Sequence, residues 1–584
     1  MTQQPVPGLH PVSRIASSVE SAPSESLEMV RMAVMTRVVA TDLDGTLTSD
    51  GHVADETLAA LAEVREAGLT TILVTGRIGS ELDREFPGLR DCFDAVVTEN
   101  GALVETSEAE IPIAGGFDRE LAQSLADAGV EFRTGRSVID CHASDASRIS
   151  SLIIGLGVDA QLVRNRERLM VLPAGVSKGG GLLAATRELG LSCHNVLAIG
   201  DAENDLSLLE AAEIGVAVAN AVPSLRSRAD VVLEQPDGAG IVELLQGPLV
   251  RGGQRLLTAR RTVRVGTFAD GKAVLVPSAW ANILIRGESG AGKSHLAGLL
   301  VEGWVRAGYT VLVIDMEGDY HGLGHLPDVV VLDDEVPPTH SELVALLRQR
   351  SISVVLDLSP LPAGAAGDYL AQLGAVLEAE RAGWGLPHWV VLDEAHGAVS
   401  TGGALEGLLS LGDYGYCVVT FRPGDLAEGV LGSMDVVITA TGRAPDLSGT
   451  ALLHGPGGVD RPFTLSPRHT PHVRHWHKYV TAPLAREHWF EFVDTDGQPV
   501  GSAENMASFL HQLRTLSPEV IGRHLAHRDV SRWLVGSLKD RQLGAMAAAI
   551  EQDVLTQQVL AMERARTRLV AAVEAMYGDH PAAT

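Results

Sequence analysis

The feature that most limits how this chain can fold is a repeated one: a short apolar run ends in a cluster of Asp, Gly or Thr, and a helical stretch follows. In a first series the apolar runs fall at 38–40, 71–74, 95–97, 196–199 and 215–218, with helical stretches such as 55–67 and 205–212 between them. A second series occupies residues 262–460, with runs at 281–285, 310–314, 353–356, 389–392, 416–420 and 436–439. Strands apolar on both faces and alternating with helices call for parallel sheets covered on both sides. The expected fold class is therefore α/β with two doubly wound domains, and a length of 584 residues leaves room for a further small domain.

Residues 1–34, rich in Ser, Pro, Gln and Glu without an apolar period, read as a disordered tail. The first domain is expected over 35–245, a basic linker and the start of the second over 246–275, and the rest of the second over 276–460. After Pro467, His and Trp concentrate, and 461–584 reads as an accessory α+β or helical domain that closes on a helical pattern. His475-Trp476-His477 could place two imidazoles on one strand face and bind a metal, whereas the irregular spacing of the other histidines favours half-buried polar roles.

Charge narrows the partners. Forty-six Lys plus Arg against 74 Asp plus Glu give −28, which disfavours a surface that grips nucleic acid throughout, although a local basic patch is compatible with it. Arg251, Arg255, Arg260, Arg261, Arg264 and Lys272 form one such segment, open to reading as a polyanion contact, an intersubunit surface or a solvated linker. Cys92, Cys141, Cys193 and Cys417 are isolated in sequence, which argues against disulfides and thiolate zinc sites. No apolar run reaches the roughly 18 residues of a membrane span and no secretion signal is visible, so the expectation is a cytoplasmic protein without a membrane partner.

The first strand ends in Asp42-Leu43-Asp44-Gly45-Thr46. Residues two apart in an extended segment project to the same side, so both carboxylates can address a ligand beyond the strand's C-terminal end, where open α/β sheets bind ligands. Two carboxylates repel a phosphate unless cations intervene. Lys178 is one source, and Asp201 and Asp205 could complete a Mg²⁺ site; Thr75, before Gly76, offers a hydroxyl and backbone amides. These four elements, in this order, resemble the haloacid dehalogenase superfamily of phosphohydrolases over residues 36–245. The resemblance implies a Rossmann-like core, with Asp42 as a nucleophile that forms an aspartyl-phosphate and Asp44 as general acid/base. It also implies phosphoryl contacts from Thr75 and Lys178, and a Mg²⁺ site drawn from Asp42, Asp44, Asp201 and Asp205. Residues 102–175 resemble an inserted C2-type α+β cap, which chooses the substrate; Arg133, Arg136, Arg164 and Arg166 are candidate contacts to an anion there.

The run at 281–285 leads into Gly287-Glu288-Ser289-Gly290-Ala291-Gly292-Lys293-Ser294 and then a helical stretch. This is a phosphate-binding loop in its strand–loop–helix setting. Gly287, Gly290 and Gly292 let amides approach phosphates, Lys293 reaches the β/γ oxygens, and Ser294 binds Mg²⁺. The run at 389–392 ends in Asp393, for the metal, and Glu394, placed to polarise water. With Asp315-Met316-Glu317-Gly318-Asp319-Tyr320 and Thr420-Phe421-Arg422-Pro423, the pattern resembles the HerA/FtsK branch of P-loop ATPases with a RecA-like sheet. That resemblance implies ATP binding and a homo-oligomer. Phe421 stands where the family usually has Gln and cannot sense a γ-phosphate by hydrogen bonding; Arg443 is the candidate arginine finger.

The expectation is thus a Mg²⁺-dependent phosphomonoester hydrolase for a small phosphorylated substrate such as a sugar phosphate or phosphoglycolate, joined to an ATP-binding module. Two alternatives stand beside it. One is a nucleic-acid-processing machine, with an end phosphatase and a motor or kinase; the other is a nucleotide-gated assembly scaffold carrying a phosphatase.

Overall fold

The computed structural model describes residues 36–577 except 118, 166, 252–255, 289–290, 401–402, 404, 406–413, 444–448, 456–458, 472–479, 481–483, 485, 539 and 557–561. The expectations placed on 1–34, Arg166, Arg255, Gly290 and His475-Trp476-His477 lie outside the described residues, as does the side chain of Arg443.

The first sheet begins with β1 (Val38–Thr41), β2 (Thr70–Val74) and β3 (Ala95–Thr98), then β4 (Leu103–Thr106) and β5 (Glu110–Pro112). A separate four-stranded antiparallel sheet follows from β6 (Phe132–Thr134), β7 (Ile139–His142), β8 (Ala160–Asn165) and β9 (Arg168–Pro173), backed by helices Arg119–Asp127 and Ala146–Leu156. The chain then returns to the first sheet with β10 (Val196–Gly200), β11 (Ile214–Ala217) and β12 (Val231–Val232), in the order β12-β11-β10-β1-β2-β3-β4-β5. The six strands from β12 to β3 are parallel and β4 and β5 turn back antiparallel. All four residues of β1 are buried, as a central strand with helices on both faces requires. Gly101, at φ 105°, marks where the chain leaves the core for the four-stranded insert: a Cβ there would sit 2.0 Å from the carbonyl oxygen of Ser177, on the returning segment. Departure and return therefore cross in contact. Glu99 fastens the insert by accepting the N–H groups of Arg136 and Ser137, both at 2.7 Å.

The second sheet is larger than the alternation indicated. It comprises β13 (Thr262–Phe268), β14 (Ala273–Pro277), β15 (Ile283–Arg286), β16 (Val311–Asp315), β17 (Val329–Leu332), β18 (Ser353–Asp357), β19 (Trp389–Leu392), β20 (Tyr416–Thr420), β21 (Val436–Arg443), β22 (Gly449–His454) and β23 (Asp460–Leu465). The order is β14-β13-β23-β22-β21-β15-β20-β19-β16-β18-β17. The parallel core runs from β21 to β17, and β13, β14, β22 and β23 extend it antiparallel. The segment read as a basic linker therefore supplies the β13–β14 hairpin of this sheet, and β23 belongs to it as well. Trp304, on the helix Lys293–Arg306, stacks on Trp389 of β19 at 3.8 Å and fixes that helix on the sheet. Beyond it, β24 (Phe490–Val493), β25 (Pro499–Ala503) and a group of helices ending in Met562–Tyr577 enclose a core of their own. His524 is buried there, accepting from the N–H of Val493 at 3.0 Å and pairing with Asp529 at 2.8 Å, so it is a packing residue.

The two large sheets are joined by polar contacts of defined geometry. The Arg260 guanidinium makes a bidentate pair with Asp230 and also donates to the carbonyls of Glu210, Ala212 and Glu213. Arg261 donates to Glu210 and Ala212 carbonyls at 3.0 and 2.6 Å, and Arg251 pairs with Glu63 at 2.7 Å. Arg260 and Arg261 of the basic segment thus fasten one domain to the other within the chain, whereas Arg264 bonds Gly266 and Thr267 and Lys272 pairs with Asp270 inside the hairpin. At the same seam the Tyr309 hydroxyl donates to Glu213, and His194 lies between Glu213 (2.8 Å) and the Ala307 carbonyl (3.0 Å), stacked on Tyr309. Among the described residues no helix is long and apolar enough to cross a membrane.

Hydrogen bonds to a charged donor contribute about 1.5–3 kcal/mol each when desolvated. Arg260→Ala should lower stability by about 2 kcal/mol, read as a drop in Tm, while light scattering shows an unchanged association state because the lost contacts are intramolecular. An unaltered Tm would show that the seam does not depend on this residue.

Candidate functional site

Parallel pairing brings the sequence-distant carboxylates together. In the register Thr41 lies opposite Ile199, and the N–H of Asp42 continues the ladder to the Ile199 carbonyl at 3.0 Å, which puts Asp42 beside the loop that opens with Asp201. Lys178, first residue of the helix Lys178–Glu188, reaches up between them. Its Nζ donates to Asp42 Oδ1 at 2.5 Å and Asp205 Oδ1 at 2.6 Å, with all three side chains at 5% exposure or less. The other Asp205 oxygen accepts the N–H groups of Asp201 and Ala202, both at 3.0 Å, so Asp205 is used up in shaping the loop and holding Lys178. Asp201 Oδ1 accepts from the Thr46 hydroxyl at 3.2 Å.

Asp42, Asp201 and Asp205 each offer an oxygen within 4.8 Å of the other two. Burial, and next the Asp205 charge, raise the Asp42 carboxyl well above the usual range, against the pull of Lys178. Burial alone would lower the Lys178 ammonium, but Asp205 and Asp42 outweigh it and carry it above the ordinary lysine value. Three buried carboxylates against one ammonium leave a negative surplus, and an all-oxygen donor set of this kind suits Mg²⁺. Asp42 and Asp201 would hold the ion, since both Asp205 oxygens are engaged. Asp44 is not part of this cluster: Arg77 binds its carboxylate bidentately at 2.7 and 2.8 Å, so the structure does not bring it among the metal candidates. Thr75 is buried, and its Oγ1 accepts from the Arg77 N–H at 3.1 Å, which leaves the hydroxyl hydrogen free to donate.

Above these groups is a cavity of about 500 Å³ walled by Asp42, Asp44 and Arg77 from the core and by Arg133, Asp140 and Arg168 from the insert. Arg133 and Arg168 share the carboxylate of Asp140, and Arg133 also pairs with Glu81 at 2.7 Å. Of the arginines singled out from sequence, Arg133 reaches the cavity, Arg136 pairs with Glu110 and Arg164 stands exposed on β8. Arg77 and Arg168 were missed. The signal for Arg77 was its position directly after Thr75-Gly76.

The second constellation gathers at the C-terminal edge of the other sheet. Gly287 sits at φ 149°, where a Cβ would lie 2.6 Å from the Ala440 carbonyl oxygen, and Gly292, at φ 99°, caps the helix that Lys293 and Ser294 begin. Lys293 Nζ rests on the Glu288 carbonyl at 3.3 Å and 5.7 Å from the Phe421 ring centre. Asp393 is buried; one oxygen accepts the Glu394 N–H at 3.0 Å and the other has no hydrogen-bond partner. Burial, then Asp319 and Glu394, push its pKa well up. An orphaned buried carboxylate oxygen at a strand end of the sheet that carries the glycine-rich loop fits a nucleotide-bound Mg²⁺. Glu394 is at φ 47°, and its Oε2 lies 3.2 Å from His396 Nδ1 in a geometry that is not a hydrogen bond. Asp357 was not anticipated: it lies directly opposite Asp315 in the β16–β18 register, and it pairs with His321 at 2.6 Å.

Comparison with known proteins gives one family match in each of the two large domains. Residues 279–372 match the central domain of the helicase HerA, and residues 39–149 and 159–245 match the haloacid dehalogenase-like hydrolase family. Phosphoglycolate phosphatase 2 of Saccharolobus solfataricus is 31% identical over 217 residues, spanning 36% of this chain and 90% of that protein. The phosphoglycolate phosphatase of Archaeoglobus fulgidus is 33% identical over 218 residues, spanning 36% and 96%. Among solved structures, a haloacid dehalogenase-like hydrolase from Bacteroides thetaiotaomicron aligns with 36% of this chain and 98% of its own, at 20% identity and a TM-score of 0.32. With residues 39–149 and 159–245 matching the family and 90% and 96% of the length of these relatives covered at 31% and 33% identity, the chain belongs to the haloacid dehalogenase-like hydrolases.

Proposed function

We propose that the chain is a Mg²⁺-dependent phosphomonoester hydrolase for a small phosphorylated metabolite, carried on a nucleotide-binding module. The observation that carries the reading is the buried Lys178 held between Asp42 and Asp205 at the floor of a cavity of about 500 Å³. Lys178 fixes Asp42 Oδ1, and Oδ2 has no hydrogen bond among the described residues. The free oxygen attacks phosphorus, the P–O ester bond breaks, and Asp44 delivers a proton to the departing alkoxide. Asp44 then takes a proton from the water that attacks the aspartyl-phosphate, which returns Asp42 and releases phosphate. Thr75 donates to a phosphoryl oxygen. Asp42 and Asp201 would hold Mg²⁺, which when bound would supply charge neutralisation for the phosphoryl group. Arg77 holds Asp44 in place before substrate enters.

On the insert's wall of the cavity Arg133 and Arg168 share the carboxylate of Asp140, with Glu167 beside them, so two guanidiniums face the cavity in a wall of balanced charge. Arg168, half exposed at the cavity, is the guanidinium placed to exchange Asp140 for a second anionic group of a substrate, and phosphoglycolate, named for the relatives, has one. In the other domain, Lys293, Ser294 and Asp393 bind ATP with Mg²⁺, and Glu394 is the residue placed to activate water. A homo-oligomer formed through this domain is part of the same reading. The Phe421 ring beside Lys293 favours a second reading of that module, as a nucleotide-responsive scaffold rather than a fast ATPase, because a phenyl group cannot position water.

Phosphate release from 2-phosphoglycolate and from neutral sugar phosphates tests the assignment. Asp42→Asn should reduce kcat at least about 10³-fold in a chain that still folds, with a lowered Tm because Lys178 loses one of its two carboxylates, and EDTA should abolish the wild-type rate until Mg²⁺ is restored. Activity within tenfold of the parent would reject the mechanism.

Arg168→Ala should raise KM for 2-phosphoglycolate about tenfold, as expected for one lost charged hydrogen bond, and leave neutral sugar phosphates less affected. An equal loss for both would remove the substrate reading.

Lys293→Ala should weaken ATP binding by at least about tenfold while the phosphatase kcat stays within twofold, because the two phosphate sites occupy separate sheets. Calorimetry with ATP and the phosphate assay decide it; unchanged ATP affinity would reject the loop's assignment.

A further inference from the structure

The two sheets meet at the ends opposite their catalytic edges. The helix Lys293–Arg306, whose first residue faces the nucleotide loop, finishes there, and β16 and β18 begin there at Val311 and Ser353. In this seam lies a cleft of about 510 Å³ lined by Arg306, Tyr309, His325, Asp328, Arg350 and His469, among others. It shares no lining residue with the phosphatase cavity. A five-residue strand of roughly 16 Å separates it from the aspartates at the C-terminal ends of β16 and β18.

Two of its walls are guanidiniums without partners. Neither Arg306 nor Arg350 makes a hydrogen bond or ion pair among the described residues, and the same holds for Arg187, on the last turn of the phosphatase domain's helix Lys178–Glu188. Arg187 is close enough that, after burial, its charge is what lowers the Arg350 pKa. In a chain carrying −28 overall, with acidic partners readily supplied elsewhere, three neighbouring arginines left uncompensated are a local field of the opposite sign. Asp328 is the one carboxylate in the lining, and it pairs with neither arginine. Three of the last four carbonyls of the helix are already engaged. Gly303, Trp304 and Val305 accept from Ala307, Tyr309 and Gly308, and Ala307 accepts from His194.

We propose that this cleft binds a small polyphosphate anion, with Arg306 and Arg350 each taking one phosphate group and His325 and His469 at its margin. Guanidinium forks match phosphate oxygens in pairs, and two forks carried on different elements suit two linked phosphates better than one. The volume is that of a pocket for a metabolite or nucleotide. The ligand would sit beside the domain seam, next to Tyr309, on which His194 of the first domain stacks.

The test uses the full-length chain carrying Lys293→Ala, which removes the nucleotide loop as a competing site, in EDTA, so that the Asp42–Asp201–Asp205 corner repels anions. Pyrophosphate titrated by calorimetry should bind at one site per chain. Adding Arg306→Ser and Arg350→Ser should weaken that binding at least about tenfold, with Tm unchanged and the phosphatase kcat, assayed separately with Mg²⁺, also unchanged, because the arginines make no contact that folding uses. ADP binding more tightly than pyrophosphate through the same arginines would identify a nucleotide as the source of the phosphates, and equal affinity would identify free polyphosphate; both support the site. Pyrophosphate affinity indifferent to the two substitutions would overturn it. So would a single-stranded oligonucleotide that depends on these arginines and that pyrophosphate does not displace, because the patch would then be a nucleic-acid contact.

Discussion

A single ammonium group sets the arrangement of the phosphatase half. Lys178 is 1% exposed and lies between carboxylates at 5% and 0%. Ions so buried tolerate their loss of hydration only while the set is complete, and removing one member of a buried pair typically costs about 3–5 kcal/mol. The three residues come from β1's end, the start of a helix and the loop after β10, so this one linkage fixes three elements at once. It also anchors the insert. Ser177 caps the same helix by accepting the Gly180 N–H at 3.1 Å, and its carbonyl is the atom against which Gly101 passes. Core, metal corner and cap stems are therefore parts of one packing problem, and a substitution at Lys178 acts on stability and chemistry together.

The other constraint is the seam. Both sheets face their N-terminal edges toward it, which leaves both C-terminal edges, with Asp42 on one and Asp393 on the other, open on outward sides. Acidic groups of the first domain are neutralised across it: Asp230 by Arg260, and Glu213 by contacts from Tyr309, His194 and Arg261. His388 completes the seam's core. It is fully buried, its Nδ1 accepts the Thr310 N–H at 2.8 Å, and burial, followed by the nearby His194 and Arg381, holds its pKa well below the usual value. The interface is thus a packed polar and aromatic layer, with apolar side chains continuing on both sides of it from Leu245 and Val250 to Val263 and Leu300.

What could be read in the sequence were features local to one strand and the turn after it. The Val38–Thr41 run and the Asp42/Asp44 pair, or the 281–285 run and the loop to Ser294, carry their meaning within a dozen residues, because strand, tight turn and helix start are consecutive. What could not be read depends on strand order. Asp357 is an unremarked acid until β18 is known to pair with β16, when it falls directly opposite Asp315. The sign of the 251–272 segment was plain, but its partners lie 30 to 51 positions away for Arg260 and Arg261, too far for any periodicity to show. Asp44 shows the same limit. Its two-residue spacing from Asp42 placed both on one side of an extended strand, but the chain turns at Gly45, φ 84°, and Arg77 claims the carboxylate from the neighbouring strand's loop.

These contacts determine how the two chemistries can influence each other. The helix that begins at Lys293 has 14 residues, about 21 Å at 1.5 Å each, and the carbonyl just beyond it accepts from His194. Two residues after His194, β10 starts, and it ends at Gly200, next to Asp201. The path from phosphate loop to metal corner is thus one helix, one histidine and one strand, with no loop of free conformation between them. Elements packed this densely move as bodies rather than bend. A nucleotide that shifts the Lys293 helix along its axis must therefore either displace β10, and with it Asp201, or break the contact between His194 and Ala307. The aromatic stack of His194 on Tyr309, which is itself bonded to Glu213, opposes the second outcome, because sliding the helix end away would separate all three groups at once.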